Sequence, residues 1–188
     1  MTTVQGLHHT IRRSDHWLPL GDVAGQIQVP GPVRTMGAAG ADNGDVHFIF
    51  ATEDGRLWHT IRFANGSWQP VGDVTRHIQV PGAVRTVTAA RGVNGDIHFM
   101  FATDDHLWHT IRYANGSWQS LGDVAGQIHV PGPVRLVAAA GTDNGDMHFM
   151  VATGAPASPP ATTAVTTSTA SPDGLVDIHI QIRSPRHD

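Results

Sequence analysis

The stretch Leu57–Arg62 (LWHTIR) decides the fold, because it returns unchanged at Leu107–Arg112 and, with one residue changed, at residues 7–12. The spacing between successive copies is 50 residues both times. Residues 57–103 and 107–153 align without gaps and are identical at 32 of 47 positions. Repeats of this length predict a modular fold in which similar units pack side by side.

Each repeat contains four short segments with strand character, separated by turn signals. In the middle repeat they are residues 84–90, the apolar run 97–102, the motif segment 107–113 and the return segment 118–124. We name these predicted strands A, B, C and D. Strand A contains two adjacent alanines in every repeat, as expected where sheets crowd around a central axis. Four strands every 50 residues are typical of a β-propeller blade, and the missing 3.6-residue periodicity argues against helical pairs.

The composition agrees with an all-β fold and excludes several classes of protein. The 188 residues include 21 Gly, 12 Pro and no Cys, which favours turns and rules out disulfides and thiol chemistry. No apolar run is long enough to cross a membrane. With a net charge of −4 and no basic cluster, we expect no nucleic-acid partner. The first fifteen residues contain no apolar run, so we expect no signal peptide there, and the compartment stays open.

The repeats occupy residues 1–153, with units that start at residues 7, 57 and 107. Along the chain the predicted strands run C-D, then A-B-C-D twice, then A-B. We therefore predict an all-β, partial β-propeller of about three four-stranded blades. A closed propeller has four to eight blades. The chain is therefore either a fragment or a homo-oligomer subunit whose copies complete a larger ring.

The C-terminal end has a different composition. Residues 154–173 are rich in Pro, Thr and Ala, which predicts a flexible linker. Within residues 174–188, apolar and polar residues alternate from Val176 to Ile182, which predicts one half-buried strand in an otherwise flexible tail. This strand could replace the missing strand C. The abrupt change is also what a shift of reading frame in the gene would produce.

The hairpin between strands C and D carries the candidate binding residues. With a two-residue turn at Asn65-Gly66, Arg62 lies opposite Gln69, and Phe63 lies opposite Trp68. The same register in the third repeat places Tyr113 opposite Trp118. Each hairpin then has one face of packing residues and one face that combines an aromatic ring, an arginine and an amide.

This second face is a candidate sugar-binding site. An aromatic plane suits the C–H face of a sugar, and the arginine and the amide supply donors for hydroxyl groups. The predicted ligand-binding residues are Trp58, Arg62, Gln69, Trp108, Arg112 and Gln119. The alternative is that these side chains pack between blades, with arginine stacked on tryptophan. The first repeat has His8 at the tryptophan position and lacks the Asn-Gly turn.

Metal binding and catalysis are not expected. The repeated histidines form two sets, which are His9, His59 and His109, and His47, His98 and His148. Equivalent residues of successive blades lie too far apart to converge on one ion, so strand histidines are expected to be core groups. Glycosidases need a pair of carboxylates or a tyrosine nucleophile. Glu53 is the only glutamate of the chain, and Tyr113 is its only tyrosine. We therefore expect no metal, no cofactor and no enzymatic activity.

The repeat as a whole resembles the PLL-like family, bacterial β-propellers related to the Photorhabdus lectin and close to the tectonin group. The resemblance covers about residues 1–153 and includes the strand B run. The other residues on which the resemblance rests are Leu57-Trp58-His59, Leu107-Trp108-His109, Trp68 and Trp118. It implies a propeller, commonly seven-bladed, that binds fucose-type or methylated sugars between blades, with glycans as partners. It also favours an extracellular location, because members occur as accessory domains of secreted enzymes.

Two functions therefore remain open. The first is a non-catalytic, lectin-like propeller with sugar sites between its blades. The second is a structural or protein-interaction propeller, or an accessory fragment of a larger secreted protein. The chain departs from the family in its number of blades and in His8, which leaves the number of sites open.

Overall fold

The computed structural model describes residues 6–154, and this part of the chain consists of short antiparallel strands joined by turns. Its strands are β1 (His8–His9), β2 (Gly21–Asp22), β3 (Val33–Gly40), β4 (Val46–Thr52), β5 (Leu57–Arg62), β6 (Gly72–Asp73), β7 (Thr86–Arg91), β8 (Ile97–Ala102), β9 (Leu107–Arg112), β10 (Gly122–Asp123), β11 (Val134–Gly141) and β12 (Met147–Thr153). Its one-turn helices are α1 (Ala24–Ile27), α2 (Val74–His77) and α3 (Ala125–Ile128), with a 3₁₀ turn at Val93–Gly95.

The strands form two complete sheets between two half sheets. We name the sheet β1-β2 blade 1, β3-β4-β5-β6 blade 2, β7-β8-β9-β10 blade 3 and β11-β12 blade 4. Within each blade, every strand pairs antiparallel with its neighbour in the chain, in the order A, B, C, D. The fold is thus a partial β-propeller, and the predicted order of strands is confirmed.

Strand B of blade 3 has the predicted limits, whereas strand D is shorter than predicted. Only Gly122–Asp123 pair continuously with strand C, and Trp118 joins it through an isolated bridge to Arg112. Strand D is the outermost strand, so one side of it has no further strand to pair with. The connection after strand D contains the helix α3, which the sequence did not predict.

Adjacent blades pack face to face and approach each other most closely at strands A. A Cβ atom on Gly37 of β3 would lie 2.8 Å from Cα of Thr88 in β7, so these two backbones leave no room for a side chain. At the end of the same strands Arg91 lies 3.1 Å from a carboxylate oxygen of Asp42 and 3.6 Å from one of Asp143. Strands A are therefore the inner strands of the propeller, as the paired alanines predict.

The contacts between successive blades form the core, and we name them seam 1, seam 2 and seam 3 in chain order. In seam 2, Ile49 and Leu57 of blade 2 meet Phe99 and Phe101 of blade 3, and all four are fully buried. Because neighbouring blades cover both faces of a complete sheet, the inner strands carry apolar residues on both sides. The seams are therefore where side chains of different repeats come together.

The predicted linker beyond Gly154 and the predicted strand in residues 174–188 lie outside the described residues. Within residues 6–154, no helix has the length and apolar character required to span a membrane.

Candidate functional site: clefts in the seams

The hairpin loop between strands C and D is one residue longer than predicted. In blade 2 the N–H of Gly66 donates to the carbonyl of Phe63 at 2.8 Å, and Gly66 has φ +92°, whereas Asn65 does not have positive φ. Asn65 Oδ1 accepts hydrogen bonds from the N–H and the hydroxyl of Ser67, at 2.9 and 2.7 Å. These contacts are typical of a longer loop with a left-handed glycine, not of a two-residue turn with positive φ at both centres.

The extra residue in the loop changes which residues face each other. Arg62 bridges to Trp68, so the predicted pairs of Arg62 with Gln69 and of Phe63 with Trp68 are wrong. In blade 3 the bridge joins Arg112 to Trp118, so the predicted pairing of Tyr113 with Trp118 is also wrong. A shift of one residue moves a side chain to the other face of a sheet. The second tryptophan therefore lies on the same face as the arginine.

A cleft of about 270 Å³ opens in seam 2 beside Arg112. Its first wall comes from blade 2, where the loop between strands A and B and the start of strand B contribute Asp45 and His47, and strand C contributes Ile61. Its second wall comes from blade 3 and contains Arg112 and Tyr113. The volume is close to the lower limit for small-molecule sites, which is about 300 Å³.

Arg112 is held at this cleft by its own hairpin. Its guanidinium carbon lies 5.3 Å from the ring centre of Trp118, and a Cβ on Gly116 would lie 3.4 Å from its terminal nitrogen. Burial lowers the pKa of Arg112, but arginine remains charged in proteins. The Nε atom of Arg112 is buried and has no hydrogen-bond partner within residues 6–154. A buried donor without a partner is costly, so the terminal nitrogens of Arg112 are the donors that it can offer to the cleft.

The opposite wall is fixed by hydrogen bonds inside blade 2. The carboxylate of Asp45 accepts from the N–H of Ala64 at 2.8 Å and from Nδ2 of Asn43 at 2.9 Å. His47 Nδ1 lies 3.1 Å from Nε2 of His59. Burial and, to a lesser extent, the charge of Arg112 lower the pKa of His47 to about 4, although Asp45 opposes both. His47 is therefore neutral at pH 7 and presents a hydrogen-bonding ring without a charge.

The two repeated sets of histidines meet in pairs inside the blades. His47 pairs with His59, and His98 Nδ1 lies 3.0 Å from Nε2 of His109. His59 also packs edge to face against Trp118, with ring centres 5.4 Å apart. One ring nitrogen of each of these four histidines is thus hydrogen-bonded inside its own blade. Within residues 6–154, no group of three or more metal-ligating side chains comes together.

A second cleft, of about 240 Å³, lies in seam 1 beside Arg62 and Trp68. As in seam 2, the Nε atom of Arg62 is buried without a partner in the described part of the chain. Its other wall is built by Thr10, Ile11 and Pro19 of blade 1. Blade 1 has only strands C and D among the described residues, so this cleft lacks the wall that Asp45 and His47 form in seam 2.

The first tryptophan of each motif, Trp58 or Trp108, lies near the start of strand C, whereas the arginine lies at its end. Trp58 is 9% exposed, its Nε1 donates to Oγ1 of Thr52 at 3.0 Å, and the guanidinium of Arg56 lies 4.6 Å from its ring centre. Trp108 makes the same bond to Thr103 at 3.2 Å. The stacking of arginine on tryptophan that the packing alternative predicts does occur here, with Arg56 as the arginine. Neither tryptophan lines the clefts in seams 1 and 2.

The two predicted glutamines are also separate from the clefts. The N–H of Gln69 donates to Ile61 and the N–H of Gln119 to Ile111, both at 2.8 Å, and both side chains are half-buried. Of the six predicted residues, the structure thus brings only Arg62 and Arg112 to a cleft.

Sequence reasoning missed the residues that surround these arginines. The predicted register placed Trp68 and Trp118 on the packing face, and His47 was expected to be a core group. The serine after Asn-Gly was an available signal, because its N–H and hydroxyl both bond to the asparagine. That bond favours a longer loop and would have placed the tryptophan beside the arginine.

Neither a protein-family model nor a curated protein matches the chain. Two solved structures of the lectin from Aleuria aurantia are similar in fold. One is a mutant in complex with alpha-methyl-L-fucoside, with a TM-score of 0.50 and 14% identity, and the other is a mercury derivative of the lectin, described as fucose-specific, with a TM-score of 0.50 and 13% identity. Each match covers 84% of this chain and 54% of the lectin, so the chain spans about half the length of that protein. At this identity the similarity establishes the propeller fold alone.

Proposed function

We propose that this chain is a non-catalytic carbohydrate-binding propeller whose sugar sites are the clefts in seams 1 and 2. The observation that carries the proposal is the position of the Arg112 guanidinium at the seam 2 cleft. It lies against Trp118, its buried Nε has no partner within the described residues, and it shares a cleft with polar groups of the next blade. We assign Arg62 the same role in seam 1.

The chemistry of the seam 2 cleft favours a neutral sugar over an anionic one. Arg112 donates to sugar hydroxyls, while Asp45 and the neutral His47 surround it with acceptors. A carboxylate wall beside a single guanidinium disfavours a charged ligand by like-charge repulsion. Asp45 already accepts two hydrogen bonds from its own blade, so it positions the wall and is not a free catalytic base.

Two similarities support fucose as the first sugar to test. The repeat resembles the PLL-like family, which implies fucose-type or methylated sugars, and the Aleuria aurantia lectin of similar fold is described as fucose-specific. Single sites of this size bind weakly, and repeated sites on a rigid scaffold gain strength from multivalency. Measurement on an immobilised, multivalent glycan is therefore more sensitive than titration with a free monosaccharide.

The test is binding to a glycan array and titration with methyl fucoside, for the unchanged chain and for Arg112→Met. We expect the unchanged chain to bind and the variant to lose at least about tenfold in affinity, since a hydrogen bond to a charged group contributes about 1.5–3 kcal/mol. Arg85→Met is the matched control. It makes the same charge change at an arginine that pairs with Asp104 outside the clefts. A blank array, or equal binding by both variants, contradicts the proposal.

One observation favours the alternative of a structural or protein-interaction propeller. The two tryptophans that the sequence offered as sugar platforms, Trp58 and Trp108, are held in packing by their hydrogen bonds to Thr52 and Thr103. If the chain only stabilises an assembly, Arg112→Met leaves every binding measurement unchanged. The array experiment therefore separates the two functions.

A further inference from the structure

Apolar residues at equivalent positions of the repeats are buried in blades 2 and 3 but exposed in blade 4, the last blade in chain order. On the face that each blade turns toward the next, Ile49 is 0% exposed in blade 2 and Met100 is 4% exposed in blade 3, but Met150 is 75% exposed in blade 4. In strand A of the same face, blade 4 has Leu136, which is 59% exposed, where blade 3 has the buried Thr86. Repeat proteins need polar outer faces on their terminal units. Blade 4 instead presents larger apolar side chains.

The other end of the row has an open apolar face as well. Met36 of blade 2 is 51% exposed, although its equivalent in blade 3, Val87, is 3% exposed. Met36, Phe48 and Phe50 line an apolar pocket in seam 1. In seam 2 the corresponding face of blade 3 is covered by blade 2, including its strands A and B. In seam 1 the described part of blade 1 has no strands A and B to cover it.

The two open ends are complementary halves of one blade. Blade 4 consists of strands A and B, and blade 1 consists of strands C and D. In both complete blades strand B pairs with strand C in one register, with Ile49 opposite His59 and Met100 opposite His109. Within residues 6–154, β12 pairs only with β11 and β1 pairs only with β2. A seven-residue edge strand with apolar side chains is a template for another strand.

We infer that blade 4 of one copy joins blade 1 of a second copy into a four-stranded composite blade. The register of the complete blades places Met150 of one copy opposite His9 of the other. Residues 6–154 of each copy form two complete blades and two halves, so these residues of two copies form four complete and two composite blades. Six blades lie within the usual range of four to eight. Such head-to-tail contacts are stable when the rotation closes a ring.

The composite blade also completes the cleft beside Arg62, a consequence that rests on the proposed function. The loop between strands A and B of blade 4 contains Asp146, and the start of its strand B contains His148, where blade 2 has Asp45 and His47. In the ring this loop of the second copy faces Arg62 as the loop of blade 2 faces Arg112. The second copy therefore supplies the polar wall that seam 1 lacks within residues 6–154 of one copy.

The first test is the solution mass of the full chain by sedimentation or light scattering. One chain has a mass of 20.1 kDa, and we expect twice that value at micromolar concentration. Met150→Asp and Leu136→Asp each place a charge on the face of blade 4 that would contact the second copy. Each should reduce the mass to that of one chain. Ser120→Asp adds the same charge at an exposed position outside that face and should leave the mass doubled. A single-chain mass for the unchanged protein overturns the inference.

The second test reads the register of the composite blade. The chain has no Cys, so His9→Cys combined with Met150→Cys introduces the only two thiols. Opposed residues of antiparallel strands have Cα atoms about 4.5–5.5 Å apart, within reach of a disulfide. Mild oxidation should link the double variant into dimers, and neither single variant should form them. If the double variant stays unlinked, the inference is wrong. That result is expected if residues 174–188 of the same chain pair with β12 in place of the second copy.

Both tests are independent of sugar. Loss of binding in Arg112→Met without a change in mass concerns only the proposed function. A single-chain mass with sugar binding intact contradicts only the composite blade.

Discussion

The two ends of strand C carry the same kind of residues in different environments. At its start, Trp58 is buried, and its only donor is satisfied by Thr52. At its end, Arg62 lies against Trp68 and has a buried donor without a partner in the described part of the chain. Blade 3 repeats the hydrogen bond at the start of the strand, from a partly buried Trp108, and the buried arginine donor at its end. We refer to these regions as the packing end and the cleft end of the strand.

This difference shows that an aromatic residue beside an arginine does not by itself identify a site. Arg56 stacks on Trp58 more closely than Arg62 approaches Trp68, at 4.6 Å against 5.8 Å. What distinguishes the cleft end is the cavity beside the arginine, since a buried polar atom without a partner in the described residues also occurs at the packing end, in Asp73 opposite Trp58. The following predictions test whether the packing end controls stability and the cleft end controls binding.

The largest effect is expected at the packing end. Trp58→Ala removes a buried aromatic side chain from the core of seam 1 and should lower the free energy of unfolding by about 3–5 kcal/mol. Urea denaturation measures the change. Trp17→Ala is the control, because this tryptophan is 63% exposed and should cost less than about 0.5 kcal/mol. Equal effects of the two substitutions would show that Trp58 does not contribute to the core as described.

Acid should weaken the cleft end through the histidine pairs. Burial holds the pKa of His47 and of His109 at about 4, below the ordinary value of 6.5, and lowers the pKa of the buried His59. The unfolded chain therefore binds protons first. The contribution of the neutral histidines to the free energy of unfolding is complete above about pH 6.5 and is lost as the pH falls toward 4.

The expected slope is about 1–3 kcal/mol per pH unit between pH 6 and 4.5. Urea denaturation at several pH values measures it, and His98→Gln combined with His109→Gln should make it shallower. A free energy of unfolding that does not change over this range would contradict the buried, neutral state of the pairs.

A smaller effect is expected at the hairpin loop of the cleft end. Gly116 has φ +89°, so Gly116→Ala should cost about 1 kcal/mol of stability. The added Cβ would also lie 3.4 Å from the terminal nitrogen of Arg112, and sugar affinity should fall with little further loss of stability. Gly126→Ala, in the helix α3 where no other group lies within 4 Å of the new Cβ, should leave sugar affinity unchanged and should not lower stability.

The smallest effect is expected from one hydrogen bond at the packing end. Thr103→Val removes the acceptor of Trp108 Nε1 and should lower the free energy of unfolding by about 1 kcal/mol, with sugar binding unchanged. Thr153→Val is the equivalent change in blade 4, where residues 6–154 provide no corresponding tryptophan, and should have no measurable effect. Loss of sugar binding in Thr103→Val would assign Trp108 to the site.

The limits of strand B were predictable, whereas the hairpin register was not. The apolar run of β8 lies between two strong turn signals, so local sequence alone sets its length. The Asn-Gly pair is compatible both with a two-residue turn and with a longer loop. The longer loop lets Trp68 pack against Phe48 and His9, with ring centres 5.4 and 5.3 Å apart. Those partners belong to other strands, which a local pattern does not describe.

The candidate site was predictable only in part, for a related reason. Arg62 and Arg112 were identifiable because the sequence places an arginine, an aromatic ring and an amide on one face of each hairpin, a combination that suits a sugar. Asp45 and His47 were not identifiable as their neighbours, because they face Arg112 from a different repeat. A cleft between blades has one wall from each, and the pairing of these walls depends on how far one sheet is rotated against the next.

The amino-acid sequence alone established the repeat, the order of the strands and the incomplete set of blades, because local apolar runs and turn residues repeat with a fixed period. The packing of the sheets decided which tryptophan meets which arginine, which donors stay unsatisfied and which faces remain open. Those properties depend on contacts between residues about 50 positions apart, and such contacts exist only once the blades are packed against each other.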